Sequence, residues 1–167
     1  MKENRRVVLS LGSNIENRQG FLETAIKELE SVFNSKISQS QIYETAPWGF
    51  ESDVPFLNCC VSFYSSCNPK EVLLATKKIE KDLGRVKKSQ INEYKSRVID
   101  IDILYVGDAV VETAELTIPH PLIYTRMFVL APLVELCDSL VDPVKKQTVL
   151  QLFRQCNDEN DVILYKN

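Results

Sequence analysis

"RVIDIDILYVG", Arg97 to Gly107, decides how the rest of the chain is read. Its β-branched and aliphatic residues, closed by Gly107-Asp108, predict a strand. Side chains alternate on a strand, so Ile99, Ile101 and Ile103 take one face while Asp100 and Asp102 take the other. Two residues along a strand cover about 6.5 to 7 Å, so both carboxylates can border one site. Aspartate is depleted in strands, and two like charges side by side repel unless solvated or neutralised. Taken alone, the pair fits either a solvated sheet face or a cation site.

Working back from this strand, "RVVLSLGSN" predicts another, closed by Gly12-Ser13-Asn14. Asn17 is placed to cap a helix in which Phe21, Leu22, Ala25, Ile26, Leu29 and Phe33 recur at helical spacing. "KISQSQIYET" alternates as a weaker strand and runs into a loop opened by Pro47 and Gly49. "FLNCCVSFYSS" supplies a third strand, and Asn68-Pro69 starts a helix carrying Val72, Leu73, Thr76, Ile79, Glu80 and Leu83 on one stripe, with Gly84 as its stop. The order is β-α-β-β-α-β, the split arrangement of a ferredoxin-like α+β fold: an antiparallel sheet with helices on one face. Beyond it come a short pair "AVVET" and "LTIPH", helices in "YTRMFVLAPLVEL" and "KQTVLQLFRQC", and a terminal strand "DVILY". No repeat or linker interrupts the pattern, so residues 1–167 read as a single domain.

A content of 44% hydrophobic and 26% charged residues is that of a globular chain rather than a disordered one. The net charge of -3 gives no global attraction to nucleic acid or anionic membrane, so a polyanionic partner must be held by a local basic cluster. No segment approaches the roughly 20 apolar residues of a membrane span, and the apolar run near the N-terminus is short for a secretory leader. Five cysteines without a CxxC spacing read as reduced thiols, and the chain as a cytoplasmic protein, expected to be a monomer.

The local basic cluster exists. Arg85, Lys87, Lys88, Lys95 and Arg97 lead into the aspartate strand, and arginine's planar fork suits phosphate oxygens. Magnesium prefers a few carboxylates completed by phosphates and water, which this neighbourhood offers. The sequence has neither GxxxxGK[ST] nor GxGxxG, which removes the Walker loop, the glycine flap of kinases and the dinucleotide fold. His120, in "TIPHP", is the lone histidine. Trp48, Phe50, Phe56, Tyr94 and Phe128 are candidate stacking faces, and Asn58, two residues after Phe56, puts an amide beside a ring. A flat heteroaromatic ligand would use that combination.

Five fragments carry a family resemblance: "LSLGSN", "YETAPWG…FLNCCV", "E…GR" at Glu80 to Arg85, "SRVIDIDILYVG" and "LTIPHPLIYTRMFVLAPLVEL". In this order and spacing they resemble 6-hydroxymethyl-7,8-dihydropterin pyrophosphokinase of folate biosynthesis. The resemblance implies a ferredoxin-like α+β fold that transfers diphosphate from ATP to the hydroxymethyl group of a reduced pterin, releasing AMP. It implies that Asp100 and Asp102 hold two magnesium ions and that Arg85 and Arg97 act on the triphosphate. By the same resemblance Phe56 and Phe128 stack the pterin and Asn58 reads its edge, while Thr45, Pro47 and Trp48 lie on the pterin side. Glu80, Lys87, Ile103, Thr117, His120 and Arg126 fall on or near the nucleotide side. Two other readings of the same residues are a non-catalytic ferredoxin-like nucleotide sensor and a metal-dependent nucleotidyltransferase; the acidic net charge argues against a long nucleic-acid ligand.

Overall fold

The computed structural model describes residues 3–46, 54–84 and 98–167. The strand expected at "RVVLSLGSN" is β1 (Arg5–Ser13), an interior strand of the sheet. Helix α1 (Arg18–Phe33) follows, and the side chain of Asn17 accepts from the Gly20 amide as the cap the sequence predicts. The weak strand at "KISQSQIYET" is two short pieces, β2 (Ser38–Gln39) and β3 (Tyr43–Thr45), both paired to β4 (Phe56–Ser65). Helix α2 (Pro69–Asp82) opens with a capping box between Asn68 and Glu71, and Gly84, at φ +106°, turns the chain just beyond its end. Only glycine adopts that φ without steric cost. The aspartate strand is β5 (Asp100–Val106), on the outer edge of the sheet.

The main sheet runs β5-β1-β4-β3-β8, where β8 (Val162–Leu164) is the terminal strand, and every pairing in it is antiparallel. Its first four strands are those of the βαββαβ unit. A separate small pair, β6 (Val111–Glu112) and β7 (Thr117–Ile118), precedes a 3-10 turn (Ile123–Thr125). Helices α3 (Met127–Cys137) and α4 (Val149–Gln155) complete the order.

Helices on one face describe the βαββαβ unit but not the whole sheet. Helices α1 and α2 bury Leu22, Leu29, Val72 and Ile79 against Leu9, Leu11, Val61, Phe63, Ile101 and Ile103. On the opposite face, Val129, Leu130 and Leu133 of α3, with Val149 and Leu152 of α4, pack on Val8, Cys60, Leu104 and Tyr105. Three layers result. Neighbouring residues of one strand, such as Cys59 and Cys60, therefore enter different cores, and "LNCCVSF" is apolar on both sides because both sides are covered.

The β1–β5 register breaks once. Val8 pairs with Tyr105 but Leu9 pairs with Ile103, so Leu104 is an extra residue in β5. This bulge lets Leu104 and Tyr105 both reach the α3 core, while Val106 returns to the α1/α2 core.

Candidate active site

Ile101 and Ile103 are buried in the α1/α2 core, so period 2 turns Asp100 and Asp102 to the other face, where both remain partly exposed. Helix α3 covers the middle of that face, at Val8 and Cys60. Register aligns two rows across three strands. One reads Asp100, Gly12, Asn58; the next reads Asp102, Ser10, Cys60. Strands lie about 4.8 Å apart, so roughly 10 Å separates the Asp100 backbone from that of Asn58, with a glycine between them.

Gly12 matters for the room it leaves. A Cβ there would stand 3.0 Å from Asn58 Oδ1 and 3.7 Å from Phe56 Cδ1. Asn58 Nδ2 donates to Thr45 Oγ1 at 2.8 Å, and both residues are buried. Their mutual bond fixes the amide so that its oxygen stays on the Gly12 side. Behind them, Arg18 donates to both Glu44 Oε2 and the Pro55 carbonyl at 2.8 Å, which ties β3 to the start of β4.

On the outer side of β5 a cavity of about 220 Å³ is lined by α2 (Leu73, Thr76, Lys77, Glu80), by Asp100 to Ile103, and by Glu115 to Thr117 with His120. Glu80 is a buried carboxylate whose Oε1 accepts from the Ile101 amide at 2.8 Å. It satisfies an outward-facing donor of an edge strand, between the two aspartates. His120 Nε2 lies 3.8 Å from Asp102 Oδ1. The Leu122 amide donates to His120 Nδ1, which leaves the imidazole proton on Nε2, facing the aspartates. Burial first, then the Arg126 guanidinium, lowers the His120 pKa to about 4, against a smaller opposing pull from Asp100. At neutral pH His120 is thus an uncharged hydrogen-bond donor.

The expected residues therefore separate into two groups joined by the aspartates. Glu80, Ile103, Thr117 and His120 line the cavity, with Asp100 and Asp102. Ile103 also belongs to the α1/α2 core and meets the cavity at the strand edge. Thr45, Phe56 and Asn58 stand across Gly12. Phe128 is in the first turn of α3, with the Arg126 guanidinium 5.5 Å from its ring centroid. Pro47, Trp48, Arg85, Lys87 and Arg97 lie outside the described residues. Sequence reading assigned no role to Ser10, Arg18 or Lys77 and took Gly12 only as the close of a strand that instead runs on to Ser13, because strand register and long-range partners decide their places.

The donor set suits magnesium. Asp100 and Asp102 offer hard carboxylate oxygens, and among the described residues no cluster of three or more His, Cys, Asp or Glu forms. A carboxylate pair beside an open cavity leaves coordination positions to phosphate oxygens and water, magnesium's usual preference, whereas zinc would want nitrogen or sulfur.

Sheet, cavity and carboxylate pair together suit a ferredoxin-like enzyme that handles phosphate groups. Residues 8–138 match the 7,8-dihydro-6-hydroxymethylpterin-pyrophosphokinase (HPPK) family, and the chain belongs to it. It is 44% identical over 128 residues to the 2-amino-4-hydroxy-6-hydroxymethyldihydropteridine pyrophosphokinase of Porphyromonas gingivalis, covering 76% of this chain and 87% of that one. The enzyme of the same name from Bacillus subtilis is 39% identical over 138 residues, 82% of this chain and 81% of the relative. A Plasmodium falciparum HPPK-DHPS crystal structure superposes with TM-score 0.74 over 92% of this chain. At 19% identity that likeness carries the fold alone, and the chain spans 44% of that longer chain. Neither the sensor nor the nucleotidyltransferase reading finds support among the curated relatives.

Proposed function

We propose that the chain transfers diphosphate from ATP to the hydroxymethyl group of 6-hydroxymethyl-7,8-dihydropterin, giving the pterin diphosphate and AMP in folate biosynthesis. Relatives named as pyrophosphokinases, similar over most of their length, support this reading. The observation that carries it at residue level is the row Asp100, Gly12, Asn58. It places an amide suited to a heteroaromatic edge about 10 Å from a carboxylate pair bordering a separate cavity.

In this reading Asn58 and Thr45 fix the pterin edge, Gly12 leaves the floor open, and Phe56 and Phe128 supply stacking faces. Pro47 and Trp48 belong to the same side by sequence match. Glu80, Ile103, Thr117, His120 and Arg126 serve the nucleotide, Lys87 joins them by sequence match, and Arg85 and Arg97, also by sequence match, offset charge on the triphosphate. His120 donates from Nε2 to a phosphate oxygen without adding charge. Asp100 and Asp102 hold magnesium, two ions by the family pattern, which when bound neutralises phosphate charge and acidifies the attacking hydroxyl. The hydroxymethyl oxygen attacks the β-phosphorus, the bond to the α-phosphate oxygen breaks, and AMP departs. No covalent enzyme intermediate is needed; the side chains contribute alignment and charge complementarity. Residues 1–167 act as one domain, a monomer in the cytoplasm. The five cysteines are free, and among the described residues no helix is long and apolar enough to cross a membrane.

The test mixes protein, magnesium, ATP and the hydroxymethyl dihydropterin and follows AMP. AMP should form only with the pterin present. ADP, or AMP without pterin, would overturn the reaction. Asp100→Ala and Asp102→Ala should each lower turnover by about three orders of magnitude or more with the fold retained, the scale of losing a centre of electrostatic stabilisation. Near-normal rates in both would remove the metal role.

A further inference from the structure

Asp142 has no part in the site described above, yet it is fully buried and holds four donors. Its Oδ2 accepts from the Tyr105 hydroxyl at 2.8 Å and the Tyr124 hydroxyl at 2.9 Å. Its Oδ1 accepts from the Val144 and Lys145 amides at 2.9 and 2.8 Å. A carboxylate with two donors on each oxygen is saturated and has one orientation open to it.

The two tyrosines belong to the two walls of the proposed nucleotide side. Tyr105 is on β5, three residues after Asp102, and the bulge at Leu104 turns it toward the α3 core. Tyr124 is in the 3-10 turn between His120 and Arg126. The backbone from His120 to Arg126 meets β5 where the His120 amide donates to the Leu104 carbonyl at a long 3.3 Å. One buried oxygen shared by Tyr105 and Tyr124 is a second, shorter fastening between the same two segments. The asymmetry is informative: a loop needing only its own turn stabilised would use the Val144 and Lys145 bonds and leave Oδ2 to water. Here Oδ2 reaches 37 residues back to β5 and 18 back to the turn.

We propose that Asp142 is a positioning residue. Through Tyr105 and Tyr124 it fixes the His120–Arg126 segment relative to Asp100 and Asp102, and so sets the width of the nucleotide side. The inference rests on the functional reading above, in which these residues face ATP. Tyr124→Phe removes one hydroxyl while keeping the ring that lies 4.9 Å from Lys145 Nζ, and so leaves most of the packing in place.

His120 is the chain's one histidine, so a ¹H–¹³C spectrum of its imidazole gives a single signal. That signal and the affinity for magnesium with a non-hydrolysable ATP analogue are measured in wild type, Tyr124→Phe and Asp142→Asn, with the methyl spectrum as the check of fold. In wild type the His120 signal should shift on adding the magnesium nucleotide; if it does not, and nothing binds, the nucleotide reading fails independently of the clamp. In Tyr124→Phe the His120 signal should move in the free protein, and nucleotide affinity should fall about tenfold, as for the loss of a supporting shell. Pterin-analogue affinity should stay within about twofold of wild type. Asp142→Asn, if folded, should show the same pattern more strongly. A lower melting temperature with an unmoved His120 signal and wild-type nucleotide affinity would reduce Asp142 to a stabilising residue and overturn the proposal.

Discussion

Replacing the hydrogen of Gly12 with a methyl group puts carbon 3.0 Å from Asn58 Oδ1, closer than nearly all real contacts. Asn58 cannot retreat freely, because its amide nitrogen is bonded to Thr45 at 2.8 Å. The backbone at Gly12 is ordinary strand, so Gly12→Ala is not a strain mutation; it acts through this one contact. We expect Gly12→Ala to raise the KM for the pterin about tenfold or more, with the KM for ATP close to wild type, since small displacements of a positioning group carry such costs. Steady-state AMP release at varied pterin and varied ATP separates the two constants. Equal KM values in wild type and variant would show that the ring does not rest over this glycine. "LSLGSN" displays the glycine, but what it avoids is on another strand, and only register reveals that.

Edge strands carry a row of unpaired donors and acceptors, and β5 carries the two aspartates on such an edge. Glu80 answers one of these donors, the Ile101 amide between them. Its carboxylate sits on the helical stripe the sequence shows, Val72, Leu73, Thr76, Ile79, Glu80 and Leu83, as an acid among mostly apolar residues. That misfit was legible; its partner, 21 residues on, was not. Glu80→Ala strands a buried N–H, so unfolding in urea should show a loss of about 1–3 kcal/mol. Turnover should fall as the aspartates lose their fixed spacing. Glu80→Gln keeps an acceptor at Oε1 and should recover most of the stability. Equal stability of the Ala and Gln variants would show that the edge bond contributes nothing. The βαββαβ order and the faces of α1, α2 and β5 could be read from period and capping, because those are local. The division of "KISQSQIYET" into β2 and β3, and the extra residue at Leu104, arise where strands adjust to neighbours, and no local pattern encodes them.

At the scale of the whole molecule, the layer that covers the active face, α3, α4 and the connection between them, is fastened to the sheet by tyrosine hydroxyls as well as by apolar packing. Tyr43 on β3 donates to Glu135 on α3, and Tyr105 on β5 donates to Asp142 beyond it. Tyr124 joins the same carboxylate. Burial first, then hydrogen bonding to Glu135, pushes the Tyr43 pKa up to about 12 from its ordinary 10.0. Burial and the bond to Asp142 push Tyr105 and Tyr124 up as well. A raised folded-state pKa means that above pH 10 the unfolded chain releases tyrosine protons that the folded chain keeps. The Tyr43 contribution is therefore fully present below pH 10 and is lost as pH rises through about 12, and the losses from Tyr105 and Tyr124 likewise begin above pH 10. Unfolding free energy measured in urea across this window should fall with pH, and the fall should be shallower in Tyr43→Phe, which has no proton to lose. Tyr105→Phe with Tyr124→Phe should flatten the slope further, because each change removes one proton that the unfolded chain releases in this window and the folded chain keeps. Identical slopes in wild type and both variants would mean that these hydroxyls hold their protons no more firmly in the folded chain than in the unfolded one.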